Sequence, residues 1–288
     1  MPDRFNPSAE LRARVALEKH GFRNTHSLGQ NFLLDEGLLC SLLDATGVWC
    51  EDNVLEIGPG AGVMTALMAE RAARVLAVEV DRGLEPVLSD VLAGLDNAGV
   101  VYQDIMKADV PALVHEAFGD APWRVVANLP YYITADIVLR LINGPCRPES
   151  IAVMVQREAA ERMMSSPGTK QWCALAATVQ SYGQVKVLAD VSPDAFDPPP
   201  HVMSQFIMIE RHAEPVVAPS DVGVYQRVIN AAFAMRRKTL HNNLKAAFGL
   251  DNEGAAAVLD AVGVDARVRG EALSLLELCR VADAIAAR

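Results

Sequence analysis

The chain has 288 residues, of which 51% are hydrophobic, and a formal net charge of −10. That apolar content excludes global disorder, and the length allows one large domain or one plus a small one. No apolar run reaches the roughly 18 residues of a membrane helix, and the acidic balance excludes an indiscriminate polyanion binder, so a nucleic-acid partner would need a local basic face.

In chain order, Met1 to His20 mixes charges of both signs without an apolar signal core. Ser8 is placed to cap a helix from Glu10 to His20, with Gly21 as its stop. An amide-rich loop follows, Thr25-His26-Ser27-Leu28-Gly29-Gln30-Asn31-Phe32-Leu33-Leu34-Asp35. It reads equally as a connector whose Phe32 plugs into a core and as a run of hydrogen-bonding groups offered to a ligand. Asp35 caps the next predicted helix, Glu36 to Thr46. The five cysteines (Cys40, Cys50, Cys146, Cys173 and Cys279) are scattered and lack CxxC spacing. This predicts a reduced, cytoplasmic protein without structural zinc.

Next, Asn53-Val54-Leu55-Glu56-Ile57 reads as a strand feeding the turn Gly58-Pro59-Gly60-Ala61-Gly62 and then a helix through Leu67 and Met68. Alternate glycines let the backbone turn tightly and approach a ligand. The helix amino end offers N–H groups to an anionic group. A second strand, Arg74 to Val78, ends at Glu79, 21 residues beyond Gly58. That is the distance at which a strand-end carboxylate accepts from ribose hydroxyls. The spacing is GxGxG rather than the dinucleotide GxGxxG, and Glu56 inside the strand would repel a pyrophosphate. Both features favour S-adenosylmethionine, with its cationic sulfonium, over a nicotinamide cofactor. A third strand, Val100 to Tyr102, leads to Asp104, which is placed either to accept from an adenine amine or to hold a turn.

After a short helix, Pro111 to Phe118, the fourth strand runs from Trp123 to Ala127 into Asn128-Leu129-Pro130-Tyr131-Tyr132. Asn128 then stands at the strand's carboxyl end, where open α/β sheets bind ligands. Pro130 stiffens the loop and pushes Leu129 to an extended conformation. An amide oxygen, the Leu129 or Pro130 carbonyl and an aromatic face suit a planar ring with an exocyclic amine. Thr134 is placed to cap a helix to Gly144. A buried strand at Ile151 to Val155, helices at Arg157 to Met164 and Trp172 to Ser181, and strands at Gln184 to Val191 and Gln205 to Glu210 follow. Between those last strands, Pro198-Pro199-Pro200 stiffens a loop with Phe196 at its tip, a second candidate stacking surface or a hairpin-corner core residue.

Arg211 to Asp221 reads as a linker, and the remainder is helical: Val222 to Met235, Lys238 to Phe248, Glu253 to Val262 and Ser274 to Ala287. The first two helices hold Arg227, Arg236, Arg237, Lys238 and Lys245, with no acid from Val222 to Gly249. In an acidic chain this is the best electrostatic footprint for a phosphate backbone. Arg4, Arg12, Arg14, Lys19 and Arg23 would extend it if the amino-terminal segment folds alongside. The expected organisation is an α/β domain at 1–210, a linker at 211–221 and a smaller all-α RNA-binding domain at 222–288.

From about Leu28 to about Glu277, the chain resembles the small-subunit ribosomal RNA adenine dimethyltransferase family. The matching stretches are Leu28-Gly29-Gln30-Asn31-Phe32-Leu33, Glu56 to Gly62, Asn128 to Tyr131, Phe196-x-Pro198-x-Pro200-x-Val202-x-Ser204, Phe233-x-x-Arg236-Arg237-Lys238-Thr239-Leu240 with Asn242-Asn243-Leu244, and Arg269-Gly270-Glu271-x-Leu273-Ser274. The chain departs from the usual family pattern at His26, Trp172-Cys173 and His241. The resemblance implies a Rossmann-like class I S-adenosylmethionine-dependent methyltransferase domain. Asn31 and Leu33 would contact the cofactor from the amino-terminal loop, Gly58 its methionine part, Glu79 the ribose, Asp104 the adenine amine, and Asn128 would lie between cofactor and target. The catalytic set would be Asn128, Leu129, Pro130, Tyr131 and Phe196, with no metal. The implied activity is N6,N6-dimethylation of two neighbouring adenosines near the 3′ end of small-subunit rRNA on an assembling subunit, by a monomer. A large-subunit rRNA methyltransferase and a non-catalytic assembly or transcription factor on the same fold are the rival readings. The Arg236-Arg237-Lys238-Thr239-Leu240 match favours the small-subunit group, and the intact Gly58-Pro59-Gly60 and Asn128 to Tyr131 motifs favour catalysis.

Overall fold

A computed structural model describes residues 7–22 and 29–288. The chain forms two compact units, one comprising 1–160 with 186–210 and the other 161–185 with 211–288.

The larger unit is built on a seven-stranded sheet of order β4-β3-β2-β5-β6-β9-β7. Its strands are β2 (Asn53–Ile57), β3 (Arg74–Glu79), β4 (Ala98–Tyr102), β5 (Trp123–Asn128), β6 (Ser150–Gln156), β7 (Gly183–Val191) and β9 (Ser204–Arg211). From β4 to β6 every pairing is parallel, and β9 runs antiparallel to β6. Every residue of β2 is buried, and so is all of β6 but its last residue. This is why β6 reads as a continuous apolar run from Ile151 to Val155 rather than an alternating one. The order of chain connections reverses between β2 and β5, and ligands bind at that switch point in open α/β sheets.

The connecting helices are α1 (Ala9–Lys19), α2 (Glu36–Thr46), α3 (Val63–Ala69), α4 (Glu85–Val91), α5 (Val110–Phe118), α6 (Thr134–Asn143) and α7 (Arg157–Met163). The expected caps form at Ser8, which accepts from the Leu11 N–H, and at Asp35, which accepts from Leu38. Thr134 departs from its expected role. It is the first helical residue, and its hydroxyl donates to the Pro130 carbonyl at 3.0 Å. The sequence showed no strand in the amide-rich loop. There, β1 (Phe32–Leu33) pairs antiparallel with β8 (Phe196–Asp197), with Leu33 opposite Phe196.

The second unit consists of α8 (Ala174–Tyr182), α9 (Val222–Ala234), α10 (Leu240–Phe248), α11 (Asn252–Ala261) and α12 (Leu275–Ala286). Its make-up differs from the expected boundary at 210, because 161–185 belongs to it. Trp172 is the reason. It is fully buried in this unit's core, its ring stands edge-on to Phe233 at 6.3 Å, and its Nε1 donates to the Leu273 carbonyl. The Gly168 N–H also donates to the Glu271 carbonyl at 2.8 Å. These partners lie far apart in sequence, so no local pattern marks the segment as helical-unit material. No helix among the described residues is long and apolar enough to cross a membrane.

Candidate active site

A cavity of about 330 Å³ opens at the carboxyl ends of the parallel strands. It is lined by the segment from Gly29 to Leu33, the glycine turn, Glu79, Asp104 and the loop from Asn128 to Ile133. The structure therefore brings all the sequence-derived cofactor residues, Asn31, Leu33, Gly58, Glu79, Asp104 and Asn128, to one cleft.

The turn after β2 is shaped by positive φ at Gly58 (70°) and Gly60 (56°), which residues with a side chain rarely adopt. The Gly58 N–H donates to the Val78 carbonyl, which ties the turn to β3. A Cβ at Gly58 would meet no protein atom within 4 Å, so the space before it is open for a ligand. At Gly60 a Cβ would sit 3.0 Å from the Phe32 ring, so glycine lets β1 close over the turn.

Glu79 ends β3 almost fully buried, and burial pushes its carboxyl above the usual range. The backbone N–H groups of Asp81 (2.8 Å) and Gly60 (3.3 Å) oppose that shift and fix both oxygens in place. Asp104 accepts from the Met106 N–H at 2.9 Å and lies 3.4 Å from Lys107 Nζ. The turn-holding use of Asp104 is thus present in the structure, on a residue that also lines the cleft. Glu56, two residues before Gly58, is fully buried. Its Oε2 accepts from the Thr65 hydroxyl at 2.5 Å, while Oε1 has no partner among the described residues.

On the opposite wall, Asn128 Nδ2 donates to the Asn31 carbonyl at 3.1 Å. That commits the amide nitrogen and leaves the side-chain oxygen to accept from a ligand. The Pro130 carbonyl already accepts from Ile133 N–H (3.2 Å) and Thr134 Oγ1 (3.0 Å). Of the two carbonyls considered from sequence, Leu129's is therefore the better placed to accept from a ligand. The Tyr131 phenol bonds Ser204 Oγ at 2.5 Å, and burial pushes its pKa up. Tyr132 is 62% exposed at the cleft mouth, with its ring against Gly29.

Phe196 does not behave as the expected second stacking surface. It is 4% exposed, packs in the core of the larger unit, and is not among the residues lining the cleft. Its pairing with Leu33 draws it inward. The hairpin-corner reading describes it better.

The basic residues of the helical unit divide into two groups. The Arg227 guanidinium stacks 4.5 Å over the Phe248 ring and donates to the Ala247 carbonyl, closing the end of α10. Arg236 donates to the Lys170 carbonyl at 2.6 Å and pairs with Glu271 at 3.4 Å. Lys245 bonds the Asn252 side chain. By contrast, Arg237 and Lys238 are exposed and have no ion-pair partner among the described residues. Arg4, Arg23 and His26 lie outside the described residues. Sequence reasoning missed Tyr132, Met106 and Ile137 as lining residues and Ser204 as the anchor of Tyr131. Tyr132 was detectable from its place beside Tyr131. Ser204 closes the motif that begins at Phe196, but it lies 73 residues from Tyr131, so nothing local pointed to their pairing.

A mixed, mostly parallel sheet with a glycine turn after β2, carboxylates at the ends of β3 and β4, and an Asn-Leu-Pro-Tyr loop after β5 defines a class I methyltransferase domain, joined here to a smaller helical unit. The model of the family described as "Ribosomal RNA adenine dimethylase" matches residues 21–287. The chain belongs to that family. It is 40% identical to the ribosomal RNA small subunit methyltransferase A of Geobacillus thermodenitrificans, over 95% of each chain. It is 42% identical to the Streptococcus pneumoniae protein of the same name, over 94% of this chain and 95% of that one. Among solved structures, a dimethyladenosine transferase from Plasmodium falciparum matches with a TM-score of 0.70 at 23% identity, over 85% of this chain and 94% of that chain. The 23S rRNA methyltransferase ErmE matches with a TM-score of 0.64 at 25% identity, over 89% of this chain and 100% of that chain.

Proposed function

We propose that this protein transfers methyl groups from S-adenosylmethionine to the exocyclic N6 amines of two adjacent adenosines near the 3′ end of small-subunit rRNA, acting on the assembling subunit in the cytoplasm as a monomer. The observation that carries this reading is the Asn128–Asn31 hydrogen bond. It engages the amide nitrogen and so leaves the oxygen to accept, on a residue that lines the same cavity as Leu129, Gly58, Glu79 and Asp104.

The residues fit the cofactor. Glu79 would accept from the ribose hydroxyls, Asp104 from the adenine amine, and the open face of Gly58 would lie against the methionine part, with Asn31 and Leu33 closing the cleft. The cofactor supplies an already activated methyl group on a sulfonium. The protein's task is then alignment. An adenine amine delocalises its lone pair into the ring and is a poor nucleophile. Asn128 Oδ1 and the Leu129 carbonyl would accept its two N–H bonds and aim the lone pair at the methyl. Alignment of this kind is worth on the order of several kcal/mol. The target base leaves its stack to enter the cleft, and Tyr131, anchored by Ser204, would replace that stacking. The nitrogen turns acidic once alkylated, so its proton can leave to solvent without a dedicated base. Arg237 and Lys238 would meet the phosphate backbone.

The large-subunit reading draws support from the likeness to ErmE. The higher identity to small-subunit enzymes weighs against it. Labelled cofactor offered with under-methylated small subunits, free rRNA and large subunits in parallel separates the two. Transfer to small subunits is expected, and transfer to large subunits alone would overturn the proposal.

A further inference from the structure

A carboxyl group with no exposed surface and one oxygen without a partner is costly in its charged form. Glu56 is such a group, and it stands beneath the glycine turn as part of the cleft wall. Among the described residues, its surroundings offer no cation. Its strand neighbours, Ala77 on β3 and Val126 on β5, are apolar. On α3 the facing group is the Thr65 hydroxyl, and the charged group acting on it from β3 is Glu79, another acid. Burial, with a smaller contribution from Glu79, pushes its pKa to about 8, and the Thr65 hydroxyl opposes that shift. Near neutrality the carboxyl is therefore mostly protonated.

We infer that Glu56 is a proton-linked counter-charge for the cleft: it is neutral before ligand entry and ionises when a sulfonium-bearing ligand occupies the space before Gly58. The inference rests on the cofactor assignment above and deepens it. In the step itself, the Glu56 O–H bond breaks, the proton leaves to solvent, and the Thr65 hydroxyl keeps donating to the resulting carboxylate. Glu56 acts through the field it sets from a fully buried position, so it is a positioning residue. A neutral thioether such as S-adenosylhomocysteine lacks the sulfonium charge and would draw off less of the proton. The cleft would thereby favour methyl donor over spent product.

Titration calorimetry of the full chain, in two buffers of different ionisation enthalpy at pH 7, tests this. S-adenosylmethionine binding to the wild type is expected to release most of one proton, and S-adenosylhomocysteine binding clearly less. Below pH 8 the donor's affinity should rise by about tenfold per pH unit. Glu56→Gln should abolish the release and flatten the pH profile. Thr65→Val, which removes the donor to the carboxylate, should move the rise in affinity to higher pH. Tight binding to the wild type without proton release, or a release that survives Glu56→Gln, would overturn the inference while leaving the cofactor assignment intact. Failure of both ligands to bind the wild type would bring down both.

Discussion

The role proposed for Asn128 depends on another residue that holds it. The Asn31 carbonyl takes the amide nitrogen, which leaves the oxygen to accept from a ligand. Asn128→Ala should lower methylation by about 100-fold or more, as expected when reacting groups lose alignment. Cofactor affinity, measured by calorimetry, should fall much less; equal loss of both would argue against this division of roles. Tyr131 allows a cleaner separation. Tyr131→Phe removes only the Ser204 hydrogen bond and should cost about 1 kcal/mol of stability. Tyr131→Ala removes the ring and should weaken target binding by about 1–3 kcal/mol, the worth of one stacked base. Glu56 also gives the folded protein a pH dependence. Its folded pKa of about 8 lies above the ordinary value of 4.5. Its contribution to stability is therefore fully present below 4.5 and is lost as pH rises through about 8. Thermal unfolding of the ligand-free protein should show a decline over that window, on the order of several kcal/mol. The decline should be much shallower in Glu56→Gln.

Short elements set the geometry that these residues need. The two-residue strand β1 lies over the glycine turn because Gly60 has no side chain to meet Phe32. The same strand carries the chain past Asn31, whose carbonyl is the anchor for Asn128. In the helical unit, α12 begins with a capping box in which Ser274 and Glu277 satisfy each other's backbone donors. Just before it, Gly270 packs onto the end of α9 so closely that a Cβ would lie 2.1 Å from the Ala232 carbonyl oxygen. Ala232 also accepts from the buried Asn243 side chain of α10, so three segments meet on one peptide group. Gly270→Ala should therefore destabilise the helical unit by about 3 kcal/mol or more, since backbone cannot give way as a side chain can. Chemical denaturation followed through buried Trp172 would measure this, and a cost under about 1 kcal/mol would contradict the packing argument.

Taken whole, the molecule is acidic, yet the family it belongs to is named for action on RNA. Arg237 and Lys238 are adjacent exposed cations at the turn between α9 and α10, and they are the proposed contact with the phosphate backbone. Because Arg227, Arg236 and Lys245 are committed to contacts within the unit, reversing them would disturb folding and confound any effect on binding. The informative variant is Arg237→Glu with Lys238→Glu. Its affinity for small subunits should fall and its salt dependence should become shallower, by roughly one unit of log–log slope for each phosphate that is no longer neutralised. Its cofactor affinity should be unchanged. Identical subunit affinity across a salt series would remove these two residues from the interface.

The sequence by itself determined the local chemistry of this protein. Alternating glycines, strand-end acids, the Asn128 to Tyr131 run and the apolar strands are read from neighbours along the chain, because backbone conformation and burial periodicity are local properties. Tertiary structure decided everything that depends on which distant segments meet. It placed Phe196 in the core through a partner at Leu33 and gave Tyr131 its anchor at Ser204. It assigned 161–185 to the helical unit through Trp172 and Leu273. It left one oxygen of Glu56 without a partner among the described residues. The physical reason is the same in each case: a side chain's role is fixed by which hydrogen-bond partners remain after the chain has packed, and that remainder is a property of the fold rather than of any stretch of sequence.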